Sequence, residues 1–195
     1  FLNEGDTVVD CGAHIGTLTI TAAKVVKEQG RVFAFEAHPR TFSYLVKNIK
    51  DNKCNNVVAK NIAIGNTEKM VSFSDYYASD LNGVEESGAY LVAMKTLDNE
   101  LKYLPRIDLL KLDIEGCELL ALIGGREILR KTKAVYFESA EKSFKRFGYT
   151  LQDIIKELRS FGFVIYHTQA GVIGEEVLDG HSTKTRYENI LAVRK

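Results

Sequence analysis

Short apolar runs alternate with amphipathic stretches along most of the chain. Val8-Val9-Asp10-Cys11 follows the turn pair Gly5-Asp6 and predicts a short buried strand. Beyond a glycine-bearing turn, Ile15, Leu18, Ala22, Val25 and Val26 recur at helical spacing, and Gly30 ends the run. Residues 31–36 (RVFAFE) then predict a second strand, and Phe42, Leu45, Val46 and Ile49 mark one face of a second helix. Residues 57–64 are a third apolar run, stopped by Gly65-Asn66. Strand and helix alternating this closely predict right-handed βαβ units and a parallel sheet.

The middle is less regular. Residues 71–74 predict a short edge strand, 79–88 a polar, glycine-bearing loop of the kind that meets substrates, and 90–97 another short strand. Alternation then resumes with a strand at 107–113, a helix at 118–129 and a strand at 134–137. Thr150-x-x-Asp153 is a capping box opening a helix with Leu151, Ile154, Ile155, Leu158 and Phe161 on one face, and Gly162 closes it. Residues 163–166 and 187–193 predict the last two strands, joined without a helix and therefore read as an antiparallel pair. With 195 residues and no repeat or linker, the expectation is a single α/β domain over 1–195, built around one well-buried core.

Composition narrows the function classes. The chain is 45% hydrophobic and 27% charged, as in a soluble globular protein. Its 26 basic and 26 acidic residues cancel and form no long run of one sign, so no nucleic-acid partner is expected. Cys11, Cys54 and Cys117 are odd in number with no CxxC pair, which argues against a disulfide framework and suits the cytoplasm. No stretch approaches the roughly 18 apolar residues of a membrane span, and no signal-peptide pattern is present. The chain begins at Phe1 and not at Met, which leaves room for residues upstream.

The first glycine turn carries the chemistry. In an open parallel sheet, ligands sit at the carboxyl ends of the strands where strand order reverses. A dinucleotide fingerprint has glycine at its first position; here the pattern is Asp10-x-Gly12-x-x-x-Gly16, with an acid in that place and the last glycine one residue late. A carboxylate there would repel a pyrophosphate and favour a ligand bearing an ammonium or sulfonium. Alternatively Asp10 is a turn-forming or helix-capping residue. Glu36, twenty residues beyond Gly16 at the end of the second strand, suits a ribose in either kind of site, or is a solvated strand-end acid.

Together with these residues, Phe35-Glu36-Ala37-His38-Pro39, Asn48-Ile49, Asn61-Ile62-Ala63-Ile64-Gly65, Thr96-Leu97-Asp98 and Leu110-Lys111-Leu112-Asp113-Ile114-Glu115-Gly116-Cys117-Glu118 carry a resemblance. From Val8 to Val193 the chain resembles the FkbM-type family of class I S-adenosylmethionine-dependent methyltransferases, and the 111–118 block is the most specific part. It departs from the usual Pro-Asn-Pro after Phe35-Glu36, where Ala37-His38-Pro39 stands.

The resemblance implies a Rossmann-like fold: a seven-stranded, mostly parallel sheet with an antiparallel last strand and helices on both faces. It implies S-adenosylmethionine as cofactor and a hydroxyl acceptor on a small molecule or sugar. Asp10, Gly12, Ala13 and Gly16 match the family's cofactor edge, with Glu36 on the ribose; His14 is a further cofactor candidate by its place in the glycine turn, through its backbone. Asn61 and Ala63 match the adenine-contacting segment, and Asp113 the position beside the methionine part.

Asp113 and Glu115 are the catalytic candidates, one for the donor's ammonium and one to orient or deprotonate the acceptor. The alternative for Glu115 and Glu118 is carboxylates complementing a helix dipole. Lys111, in an otherwise apolar strand, is a partner for one of these acids. A divalent cation on Asp113, Glu115 and Glu138 lacks clear ligand spacing, and no metal is expected. Tyr76, Tyr77 and Asp80 are acceptor candidates by location, while His167 and His181 lie near the last strands. No Asp/Asn-Pro-Pro-Tyr run follows the fourth strand, which weighs against methylation of base amino groups. A non-catalytic binding module and, disfavoured by Asp10, a nicotinamide-dependent dehydrogenase are the competing readings.

Overall fold

The computed structural model describes residues 2–76, 82–169, 172–176 and 188–194. The first half lays down β1 (Thr7–Cys11), α1 (Thr17–Val26), β2 (Arg31–Phe35), α2 (Pro39–Asp51) and β3 (Val57–Lys60) as two parallel βαβ units. The chain then builds a separate sheet from β4 (Ala63–Ile64), β5 (Lys69–Phe73), β6 (Val84–Glu85) and β7 (Tyr90–Lys95). After α3 (Leu97–Leu101) it returns to the first sheet as β8 (Leu109–Leu112), on the other side of β1. Next come α4 (Glu118–Ile123), α5 (Arg126–Arg130), β9 (Ala134–Ser139), α6 (Glu141–Arg146), α7 (Leu151–Ser160), β10 (Phe163–Gln169), β11 (Val172–Glu176) and β12 (Glu188–Arg194).

The main sheet runs β11-β10-β12-β9-β8-β1-β2-β3. Strands β3, β2, β1, β8 and β9 are mutually parallel, and β12 slots between β9 and β10 antiparallel to both. Strand order reverses between β1 and β8, which opens a crevice at their carboxyl ends. Alternation within β1 explains the two helical layers. Val8 packs with Ala22, Ala23 and Val26 on the α1 face, while Val9 joins Leu112, Leu122, Phe137, Ile154 and Leu158 on the α4–α7 face.

The expected α/β fold and antiparallel last strand are therefore present, with the strand count corrected. Instead of seven strands the main sheet has eight among the described residues, because β11 hairpins onto β10, and four more described strands form the small sheet. The apolar run at 57–64 is divided between the two sheets. Asn61 turns it, its amide donating to the carbonyls of Glu36 and Ala37, both at 2.8 Å. The helix expected at 118–129 breaks at Gly124-Gly125, where a Cβ on Gly124 would lie 2.1 Å from the Gly65 carbonyl oxygen. The strand read over 90–97 stops at Lys95, since Thr96 caps α3 by accepting from the Asn99 N–H. Helix α1 buries Thr19, Ala22, Ala23 and Val26 and leaves Leu18 and Val25 exposed, as is Ile15 in the turn before it, so the buried face is turned from the expected apolar stripe.

The Asp153 carboxylate accepts from both the N–H and the hydroxyl of Thr150 at 2.8 Å, holding the start of α7 as expected. Asp153→Ala is expected to cost about 1 kcal/mol, read as a lower urea midpoint at unchanged slope.

Candidate active site

The crevice is shaped first by the turn after β1. Gly12 has φ +77°, and a Cβ there would fall 1.7 Å from the Asp113 carbonyl oxygen. The N–H groups of Gly12 and Ala13 both donate to the Phe35 carbonyl, at 2.9 and 3.0 Å, stapling the turn to the end of β2. His14 follows at φ +50°, and its N–H reaches Glu36 Oε2 at 2.8 Å. Gly16, at φ +96°, starts α1, and a Cβ there would press on Leu45 at 2.7 Å.

Glu36 is buried at the head of the β2–α2 loop, held on both sides. Oε2 accepts from His14 N–H, and Oε1 accepts from His38 N–H, also at 2.8 Å. Burial raises its carboxyl above the ordinary value, and these two N–H groups oppose that rise. Gly12, His14, Glu36, Ala63, Asp113 and Glu115 line one continuous cleft, closed on the small-sheet side by Phe73, Asn82 and Val84. Six of the sequence-predicted residues thus meet in one place.

Asp10, Ala13, Gly16 and Asn61 stand behind that lining. Asp10 is buried with Oδ2 accepting from Thr19 Oγ1 at 2.6 Å and Oδ1 3.0 Å from Lys111 Nζ. The same ammonium lies 3.2 Å from the Gly12 carbonyl and 3.3 Å from Asp113 Oδ2. Burial disfavours a charged Lys111, but Asp10 and Asp113 outweigh it and raise its pKa. The charge of Asp10 is therefore answered inside the protein, and the carboxylate presented to the cleft is that of Asp113, 42% exposed.

Glu115 sits at φ +52°, with its carbonyl held by an Arg146 guanidinium N–H at 2.9 Å. Its carboxyl is pushed up to about 7, by burial first and then by repulsion from Asp113, Glu138 and Glu118, with Arg146 opposing. The carboxylates of Asp113, Glu115 and Glu138 lie within 4.8 Å of one another. Three oxygen donors are about half the six to eight that a hard divalent cation takes. Glu118, at the first position of α4, is a buried brace: it accepts from the Ile114 N–H, and Tyr149 donates to the Gly116 carbonyl beside it.

Tyr76 turns to Glu85 and Asn82 and stands outside the cleft lining, as does His167 on β10. Tyr77, Asp80 and His181 lie outside the described residues. Sequence reasoning missed Phe73 and Val84 as walls, and Arg146 and Tyr149 as supports; the apolar, edge-strand character of 71–74 was the available signal for the first.

All three cysteines are buried and unpaired. Among the described residues no helix is long and apolar enough to cross a membrane.

Comparison with known proteins agrees with this architecture. The hexuronic acid methyltransferase AglP of Haloferax volcanii is 29% identical over 139 residues, covering 69% of this chain and 56% of its own length. A tRNA(Phe) (4-demethylwyosine(37)-C(7)) aminocarboxypropyltransferase of Methanocaldococcus jannaschii is 48% identical over 56 residues, covering 29% of this chain and 22% of its own. The crystal structure of a methyltransferase FkbM from Methylobacillus flagellatus superposes with a TM-score of 0.66 at 20% identity, over 99% of this chain and 44% of that one. The chain thus spans little more than half the length of the relatives it matches, or less. The profile of the Methyltransferase FkbM domain matches residues 10–165, and the chain belongs to that family.

Proposed function

We propose that the cleft binds S-adenosylmethionine and that the protein transfers its methyl group to a hydroxyl of a small molecule or sugar. One observation carries the reading: a buried carboxylate, Glu36, is clamped between the N–H groups of His14 and His38 and still lines the cleft. Each of its oxygens keeps acceptor capacity for one of two neighbouring ribose hydroxyls. Ile62, Ala63 and Phe73 offer an apolar surface of the kind an adenine needs. Asp113, 3.3 Å from Lys111 Nζ and half open to the cleft, suits the donor's α-ammonium.

Bound there, the donor would supply a methyl group already activated by its sulfonium. The chain's own residues hold the two reactants in line and manage the proton. Positioning alone supplies roughly 7–11 kcal/mol. Glu115, its carboxyl lifted to about 7 by burial and then by the neighbouring carboxylates, takes the acceptor hydroxyl's proton as the oxygen–methyl bond forms and the methyl–sulfur bond breaks. The name of the AglP relative supports a sugar-type acceptor. The buried, unpaired thiols suit a cytoplasmic protein.

Calorimetric titration tests the donor assignment. S-adenosylmethionine is expected to bind and NAD to give no heat; binding of neither would leave a non-catalytic module. Glu36→Gln is expected to weaken the donor by about tenfold, since one amide oxygen replaces two acceptors that also hold His14 and His38. A labelled-methyl assay across sugars and small hydroxylated molecules identifies the acceptor.

A further inference from the structure

The His38 side chain ties the loop that presents Glu36 to the end of β5 in the small sheet. His38 is 2% exposed, and its backbone N–H holds Glu36 Oε1. Its Nδ1 accepts from the Thr41 N–H at 3.3 Å and so caps α2. A nitrogen that accepts carries no proton, so the imidazole N–H is on Nε2. Nε2 lies 3.2 Å from Asp75 Oδ1.

Asp75 follows β5 and gathers further donors from both sides of the gap. It takes the Arg40 guanidinium from α2 and the Tyr90 hydroxyl, at 3.3 Å, from β7. The His38 ring packs edge-on to Tyr90 with centroids 4.9 Å apart, and to Phe73 at 6.2 Å. Phe73 is itself a wall of the cleft that Glu36 lines.

We propose that His38 and Asp75 form a latch holding the small sheet's wall against Glu36, so that His38 positions the site for the donor's adenosine half. The inference rests on the reading of Glu36 as the ribose partner. An asparagine here, as in the usual Pro-Asn-Pro, offers an oxygen for the Thr41 N–H but is too short to span to Asp75. The histidine does both.

That difference supplies the test. His38→Asn keeps the cap and cuts the latch, and Asp75→Ala cuts it from the other side. Both are expected to weaken S-adenosylmethionine and S-adenosylhomocysteine alike by about 5–10-fold in calorimetric titration, at near-native Tm. The double variant is expected to be no weaker than either single one, because both remove the same bond. Asp75→Asn, which retains an acceptor for Nε2, is expected to stay within about twofold of the native affinity. Hydrogen exchange in β5 and β7 is expected to quicken in His38→Asn and Asp75→Ala. Native affinity in both single variants, or fully additive losses, would overturn the latch. Glu36→Gln, titrated alongside, separates the two levels: native donor affinity there overturns the cleft reading itself, whereas a loss there with native latch variants overturns the latch alone.

Discussion

Glu115→Gln is expected to lower turnover about 100-fold while leaving donor affinity within about twofold of native, the loss typical of removing a general base. The residue is placed for that role by backbone that a non-glycine side chain rarely adopts, φ +52°, pinned through its carbonyl by Arg146 and followed by Gly116 at φ +101°. Its charge state follows from where the turn puts it. Burial and the nearby carboxylates of Asp113, Glu138 and Glu118 lift its pKa to about 7. Turnover needs the ionised form, so kcat is expected to rise with pH through about 7, and the variant is expected to lose that limb.

The same shift has a signature in stability with the opposite slope. A carboxyl whose folded pKa lies above its unfolded 4.5 contributes fully below pH 4.5, and the contribution is lost as pH climbs towards 7. Glu115→Gln cannot ionise, so at pH 8 it is expected to be the more stable protein, by about 1–2 kcal/mol after allowance for solvent screening. Unchanged turnover across the pH range would remove Glu115 from the reaction. A more stable, less active variant is the combination that a mere structural brace would not give.

What the sequence revealed and what it hid divide along the range of the interactions. The buried parallel strands read as continuous apolar runs, and the turn at 12–16 announced itself by its glycines, so β1, β2, β8 and the first wall of the cleft were legible. In the small sheet, β5 and β7 showed as short apolar runs, whereas β4 and β6 are two residues each, too short to carry a pattern of their own. Helix α1 misled for a polar reason: Thr19 faces inward because its hydroxyl bonds Asp10, displacing an apolar residue from the expected stripe. The partner of Asp10 lies 101 residues away, so the turn alone showed a free carboxylate where the fold has an ion pair. His38 registered only as a departure from a familiar tripeptide, since Asp75, 37 residues on, is what gives its ring a task.

Gly12→Ala is expected to be the most damaging single methyl group that can be added to the crevice. The new Cβ would lie 1.7 Å from the Asp113 carbonyl oxygen, and that is backbone, not the free end of a side chain. Neither strand can step aside: β1 and β8 are in register from Val8↔Leu109 to Cys11↔Leu112, and the Asp113 N–H donates to the Cys11 carbonyl at 3.1 Å. The turn is also fixed on its other side by the two N–H bonds to Phe35. Steric displacement adds to the strain of a left-handed φ, for a combined cost of about 3–5 kcal/mol. That is a large part of the total stability of a domain this size. Gly5→Ala provides the contrast, since it shares the positive φ, at +87°, but its Cβ would meet nothing within 4 Å. It is expected to cost only about 1–2 kcal/mol. Urea midpoints for the two variants read the difference directly. Because movement of the Gly12 turn drags His14 and its hold on Glu36, any folded fraction of Gly12→Ala is expected to bind the donor at least tenfold more weakly. Equal midpoints for the two variants would show that β1 and β8 can separate without cost, and the close approach at Gly12 would then not be what shapes the crevice.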